Sequence, residues 1–329
     1  ASVVVVAGYA GQLSLCQFAL AGFGAWVVAR LVSVNGWPFE PALLGGMVVT
    51  TLVGLVVAVP AVRTRGTSLA VATLAMALMF SSLIFTNSAL TGGVRGLPIG
   101  DLSFLGMDLD PLNHPQRYGA FVLAILVLVG LLIANVRRGR AGARLLAVRS
   151  NERAAASLGV GVVGAKVYAF AVAAAIASLG GALLSLRQPN VQVSVYSVIG
   201  SVLLIQYAVV GGLAWVAGVV IGAAGAPTTI GNVIFADIVP EGTDIVSWLA
   251  VLSGVSAVLV LRQAPDGVAS LWSHAADRIT APFRIPRRRA DEVPAPARPR
   301  RAPATLEITD VGVSFGGVVR QRDRRGAEE

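Results

Sequence analysis

The chain has one lysine, one cysteine and two histidines among its 329 residues, and charged side chains make up only 13% of it. A soluble globular chain carries about 25% charged residues. Each scarcity excludes a class of function. A single cysteine, Cys16, can build neither a disulfide framework nor a thiolate metal site. His114 and His274 both fall outside the apolar runs, and no H-E-x-x-H pattern or aspartate pair lies within them. An intramembrane enzyme or a proton-driven carrier needs ionisable groups at depth, so neither class is favoured. No G-x-x-x-x-G-K-[ST] loop occurs, and Lys166, the one lysine, stands in no such context. No basic region precedes the first apolar run, so no cleavable signal peptide is visible.

What the chain does have is apolar length. Hydrophobic residues make up 55% of it and its mean hydropathy is +0.75. Apolar runs recur near 13–34, 41–61, 67–88, 120–136, 166–186, 197–225 and 244–261. Most approach the ~20 residues that a helix needs to cross the hydrocarbon layer. The opening ASVVVVAG is apolar but shorter, and reads as the remainder of a further helix, with the N-terminus truncated. The expected fold is an all-α polytopic integral membrane protein. It would have about eight transmembrane helices, some short, broken or re-entrant, and a disordered basic tail.

The pI near 10.9 does not imply nucleic acid, because the arginines sit in loops beside spans without interleaved aromatics. They fit orientation and anionic lipid headgroups instead. Arg63 and Arg65 fill one loop. Arg137, Arg138, Arg140, Arg144, Arg149, Arg153 and Lys166 fill another, and Arg262 opens the tail, whereas the 89–116 loop carries Asp101, Asp108 and Asp110. The positive-inside rule puts the three basic regions in the cytoplasm. Parity then forbids 197–225 from being one span. Its centre, VVGGLAWVAG, offers a break at Gly211 and Gly212, so two short helices that descend and return are expected.

Three regions follow: a transmembrane domain over 1–262, a Pro/Arg-rich linker over 263–305, and a final segment over 306–329. In the last of these LEITDVGVSF alternates as a half-buried strand, with no further strand expected after it. Most of the 37 glycines read as close helix packing. Polar candidates for a solute path are Gln12, Ser14, Thr91 and Gln206, together with the glycine break, although helix-to-helix hydrogen bonding is the commoner role for each polar residue.

Between two greasy runs lies RRGRAGARLLAVRSNERAAASLG, residues 137–159, with six arginines and one acid. Ser150 or Asn151 can cap a short helix, Glu152 suits its first turn, and Gly159 can close it in the left-handed conformation. Leu145, Val148, Ala155 and Leu158 offer an apolar stripe for a cytoplasmic partner.

RAAASLG at 153–159 resembles the coupling loop of ABC importer permeases, with arginine where the first glutamate usually stands. GYAGQLSLCQFALAGFGAW at 8–26, RGTSLAVATLAMALMFSSLIFTNSALTGGVRGL at 65–97, and the run from RGRAGARLLAVRSNERAAASLGV to VVGGLAWVAGVVIGA are similar to the branched-chain amino-acid permeases of LivM type. The resemblance covers residues 1–262. It implies a non-enzymatic subunit of a bacterial inner-membrane importer, with a cytoplasmic tail. Its expected partners are a second permease subunit of LivH type, two ABC ATPases that hold ATP and magnesium, an external binding protein, and membrane lipids. ATPase coupling would fall to Arg149, Glu152, Arg153, Ala154, Ala155, Leu158 and Gly159. A permease for urea or short amides is the alternative within this class, and an ion-gradient-driven carrier the alternative outside it. LEITDVGVSFGGVV resembles the opening strand of such an ATPase, with Phe315 as the adenine-stacking aromatic. Without a phosphate loop, the tail reads either as a fused ATPase cut short or as vestigial.

Overall fold

The structure is a computed structural model. It describes residues 1–224 except 65, 99–102, 105, 106, 112 and 214, together with 312–315 and 318–321. The chain divides into a unit over Ala1–Ile279 and a second over Thr280–Glu329.

Within the first unit, three helices form the packed centre: α1 (Gln17–Ser33), α2 (Phe39–Arg63) and α8 (Val162–Ser185). The sequence of α8 explains why. Ala165, Ala169, Ala173, Ala177 and Gly181 recur every four residues and are all buried, giving a smooth face against which two backbones can approach. Gly54 of α2 lies so close to Ala174 that an added Cβ would overlap its methyl, and Gly24 of α1 stands in the same relation to Ser178. Lipid is as apolar as leucine, so this close packing replaces the hydrophobic drive as the main source of helix association.

Around that centre run α3 (Thr67–Phe80), which continues through a π-helical turn at Ser81–Phe85, and the short α4 (Ser88–Thr91). Further on, α5 (Pro115–Arg138) leads into α6 (Arg140–Ser150) and α7 (Glu152–Ser157). After α8 come α9 (Val198–Gly211) and α10 (Val216–Ala224). Four two-residue strands also occur among the described residues of the unit. Leu97–Pro98 (β1) pairs antiparallel with Asn190–Val191 (β4), and Ser103–Phe104 (β2) with Met107–Asp108 (β3). On α5, Leu123, Val127 and Leu131 are exposed, as expected of a helix whose outer face meets lipid or another subunit.

Among the described residues four helices are long and apolar enough to cross a membrane: Phe39–Arg63, Thr67–Phe85, Pro115–Arg138 and Val162–Ser185. This is a polytopic, mostly helical membrane protein. The run expected over 13–34 is interrupted, however. A buried π-helical segment, Val4–Tyr9, is followed by a non-helical break in which Gly11 has φ +68°, and α1 begins only at Gln17. Polar residues concentrated at 11–17 favour that break, since their side chains satisfy backbone groups the helix would otherwise pair. The run at 197–225 is a helical hairpin: α9 is 14 residues, about 21 Å, too short to span, and Gly212 turns the chain at φ +107°. Gly211 and Gly222 face each other across it without room for a Cβ. The run expected at 244–261 and the expected boundary at 262 lie outside the described residues.

In the second unit the expectation of a single strand needs correction. Gly312–Phe315 (β5) pairs antiparallel with Val318–Gln321 (β6), with Phe315 opposite Val318. The intervening sequence is Gly316-Gly317, a dipeptide favoured in two-residue hairpin loops. The valines beside it make 318–321 a strand that Arg320 and the arginines following the strand had obscured.

Gly181→Ala should therefore destabilise the unit by about 1–3 kcal/mol, because its methyl would overlap the Ala21 carbonyl. Gly164→Ala, on the same helix with open space around it, should be neutral or mildly stabilising. Thermal unfolding in detergent would check both; equal effects would remove close α1–α8 packing as the explanation.

Candidate functional site

The basic stretch folds as two helices. Asn151, at φ −160°, ψ +110°, breaks α6 from α7, and its side-chain oxygen accepts from the backbone N–H groups of Arg153 (3.0 Å) and Ala154 (3.1 Å). Asn151 is thus the cap of α7, while the Ser150 hydroxyl donates back to Ala147 O at 2.8 Å. At the far end Gly159 has φ +79°. Its N–H donates to Ala156 O, and that of Val160 to Ala155 O, the paired bonds of a Schellman ending.

The two faces of this short helix differ. Leu145, Val148 and Ala155 are buried against the unit's own core, whereas Leu158 is 82% exposed, with Arg153, Ala154 and Gly159 also exposed. The apolar stripe expected to meet a partner is therefore mostly internal, with Ala155 packed inside the unit. A three-to-four-residue spacing cannot say which neighbour covers the stripe.

Glu152, in the first turn of α7, points inward. Its carboxylate lies 2.9 Å from Lys166 Nζ, and Lys166 is 1% exposed. Lys166, in the second turn of α8, also donates to Ala61 O at 3.2 Å, one of the carbonyls left unpaired where α2 ends. Gln12, in the N-terminal break, donates to Glu152 at 3.3 Å. One buried cation thus holds the C-terminus of α2 and, through a carboxylate, the N-terminus of α7, a polarity that both helix dipoles favour. The expectation that Lys166 is a solvated loop charge, and that no ionised group is buried, is corrected here. The signal was its position as the one lysine, opening an apolar run.

Arg149 donates from its guanidinium to Gly8 O and packs over Gly11, so it ties α6 to the N-terminal segment. The turn of the α9–α10 hairpin reaches the same place: Leu213 O abuts Gly8, and Arg137 stacks 4.5 Å over the Trp215 ring. Of the other path candidates, Ser14 is buried and bonded to Cys16 and Gln17, and Thr91 is buried and donates to Asn87 O at 2.9 Å. Gln206 is half-buried on α9. Gly211 and Gly212 form the end and turn of α9. These residues do not form one cluster. Phe315 ends β5.

A separate cavity of about 460 Å³ lies among α1, α5, α8, Tyr196 and Leu204 of α9, with Ala1 and Ser2, where this sequence begins, also in its wall. Gln17, Tyr118, Arg187 and Tyr196 line it, and none of the four stood out in the sequence. The Tyr196 hydroxyl donates to Gly181 O at 2.7 Å, and burial raises its pKa, keeping it a neutral donor. Tyr118 donates likewise to Leu183 O.

Comparison with known proteins decides the family. The model for the branched-chain amino acid transport system permease component matches residues 2–259. The chain belongs to this permease family. The LivM permease proteins of the high-affinity branched-chain amino acid transport systems of Salmonella typhimurium and Escherichia coli are each 27% identical over 230 residues. That match covers 64% of this chain and 54% of each relative, so the chain spans about half the length of the curated relatives it matches. No solved structure matches.

In this permease component, Lys166→Met should cost about 3–5 kcal/mol, because it removes the buried cation that faces the Glu152 carboxylate. Adding Glu152→Gln should recover much of that loss. Thermal unfolding of the single and double variants would measure it, and strictly additive losses would mean the two side chains do not interact.

Proposed function

We propose that this chain is a membrane-embedded subunit of an ATP-driven importer that carries branched-chain amino acids into a bacterial cell. The sequence shows no G-x-x-x-x-G-K-[ST] phosphate loop, and on this reading ATP and magnesium would be held by two separate ATPase subunits. A second permease subunit of LivH type and an external binding protein would complete the assembly. The orientation rests on charge: the arginines of α6 and α7 face the cytoplasm, and so does the tail, while the Asp101–Asp110 loop and the C-terminal end of α8 face outward.

The observation that carries this reading is the two-faced helix α7. Its inner face is fixed to α2 and α8 through Glu152 and Lys166, and its outer face presents Leu158 at 82% exposure. A short helix built this way can hand the motion of a cytoplasmic ATPase to spans on either side of a solute path. The buried ion pair does not favour a carrier driven by an ion gradient. It sits at helix ends, two residues before the end of α2 and in the second turn of α8, where it satisfies backbone carbonyls.

Reconstituted with the partner subunits, the chain should support leucine uptake that requires ATP inside the vesicles' nucleotide-accessible face and persists when ion gradients are collapsed. Uptake that follows a proton or sodium gradient without ATP would overturn the proposal. Leu158→Asp should weaken ATPase association about tenfold or more, the worth of one buried leucine, and leave thermal unfolding unchanged. Ala155→Asp should instead lower the unfolding temperature, because Ala155 packs inside the subunit. Co-purification with the ATPase, read beside the melting curves, distinguishes the two.

A further inference from the structure

We infer that the inner end of α5, where it turns into α6, is a binding site for an anionic phospholipid. Arg138, Arg140 and Arg144 take the headgroup phosphate, and the exposed apolar stripe of α5 takes an acyl chain. From the transport reading the site uses only the orientation of the spans.

The first observation is charge that the fold leaves uncompensated. Seven basic residues lie between 137 and 166, and four of them are engaged elsewhere. Arg137 stacks on Trp215, Arg149 holds the Gly8 carbonyl, Lys166 faces Glu152, and Arg153 stands on α7 beside the proposed ATPase contact. Arg138, Arg140 and Arg144 remain. All three are exposed, and no carboxylate pairs with them among the described residues. The sequence explains why: no acid occurs between Asp110 and Glu152, and Glu152 is held by Lys166.

The second observation is their level. With 24 residues α5 is about 36 Å long, against ~30 Å of hydrocarbon, so its last residue emerges among the headgroups. Trp215, half-exposed under the Arg137 guanidinium, suits that level, since indole rings collect at the interface. Gly142 lies against Val136 O and Arg137 O without room for a Cβ, so α6 crosses the end of α5 instead of continuing it. Gly142, Leu145 and Val148 are buried, while Arg140 and Arg144, one turn apart, stay on the open side. A helix with one apolar face and one arginine-bearing face is the kind that lies in the interface plane.

The third observation is the stripe that leads there. Ala120, Leu123, Ala124, Val127, Leu128 and Leu131 are all exposed and line one apolar hollow of about 470 Å³ on α5. None of the six borders the cavity where Ala1 and Ser2 lie. Arg138 is on the same face, two turns or about 10 Å beyond Leu131. An acyl chain laid on the stripe therefore brings its phosphate to Arg138, with Arg140 and Arg144 close along the chain. Guanidinium forks match phosphate oxygens, and a lipid without a compensating ammonium leaves that charge free for them. A soluble anion would use the arginines alone, and a cytoplasmic protein does not reach the stripe.

The test uses the assembled transporter in nanodiscs of phosphatidylcholine with rising fractions of phosphatidylglycerol, without nucleotide or leucine. Native mass spectrometry counts the phosphatidylglycerol retained on release. Arg138→Gln, Arg140→Gln and Arg144→Gln should each raise the half-retaining fraction about fivefold, and the three together about a hundredfold. Lysine at the same three positions should restore most of the retention, because the attraction is largely one of charge. Arg117→Gln, exposed at the opposite end of α5, should change nothing. Glycerophosphoglycerol, the headgroup without chains, should not displace the lipid. Thermal unfolding of the triple glutamine variant in pure phosphatidylcholine should match the unsubstituted protein, which separates loss of lipid from loss of fold. Undiminished retention in that variant would overturn the site. Loss of ATPase co-purification with lipid retention unchanged would overturn it as well and give the arginines to the ATPase, and displacement by glycerophosphoglycerol would remove the acyl chain from it. Retention is read without transport, so failure of ATP-driven leucine uptake would overturn the proposed function and leave this site standing.

Discussion

The buried ammonium group of Lys166 sets the relation between the short helix α7 and the spans. Lys166 has almost no contact with solvent, and its charge is balanced by Glu152 at 2.9 Å and by the Ala61 carbonyl at 3.2 Å. Taking two charges out of water costs several kcal/mol per ion, and the pair compensates only while its geometry holds. The site therefore resists any movement of α7 that leaves α2 and α8 behind. Removing one partner strands the other, so the three helix ends behave as one body. In the proposed importer that stiffness is the useful property: a push on the exposed edge of α7 reaches two long helices at once.

The surroundings reinforce this junction by different means. Arg149 holds the Gly8 carbonyl, Gln12 reaches Glu152, and Arg137 lies over Trp215, so the N-terminal break and the turn of the α9–α10 hairpin meet the basic helices at one end of the unit. Farther away, polar anchors give way to close packing. Alanine and glycine at four-residue spacing on α8 admit α1 and α2 to backbone contact, and Gly211 with Gly222 does the same inside the hairpin. Polar bonds position one end of the molecule and small residues hold the rest together. The cavity at Gln17 opens where that packing stops, between the α1–α8 contact and the more loosely surrounded α5.

The difference between what was legible in the chain and what was not follows the range of the forces involved. Hydrophobic length announced the spans at 41–61, 67–88, 120–136 and 166–186, because a helix must satisfy its own backbone in lipid and needs about 20 residues to do so. Paired glycines at 211 and 212 announced the hairpin, and asparagine and glycine at either end of α7 announced its caps, since caps are local chemistry. The sequence by itself therefore determined the class of protein, the four longer helices among the described residues, and the place of its short basic one.

Only the tertiary structure decided which side of each helix faces what. Leu145, Val148, Ala155 and Leu158 share one periodicity, yet three are core and one is surface: Ala155 lies on the inner face of α7, whereas Leu158 is its C-cap, where the helix ends. Lys166 reads as a loop charge until α2 and α7 are brought to it across 105 and 14 residues of chain. Gln17, Tyr118, Arg187 and Tyr196 carry no spacing in common and meet only around one hollow, which Ala1 and Ser2 also line. Periodicity reports a residue's angle about its own helix axis. Partnership depends on how separate axes are laid against one another, and that is fixed by packing between segments far apart in the chain.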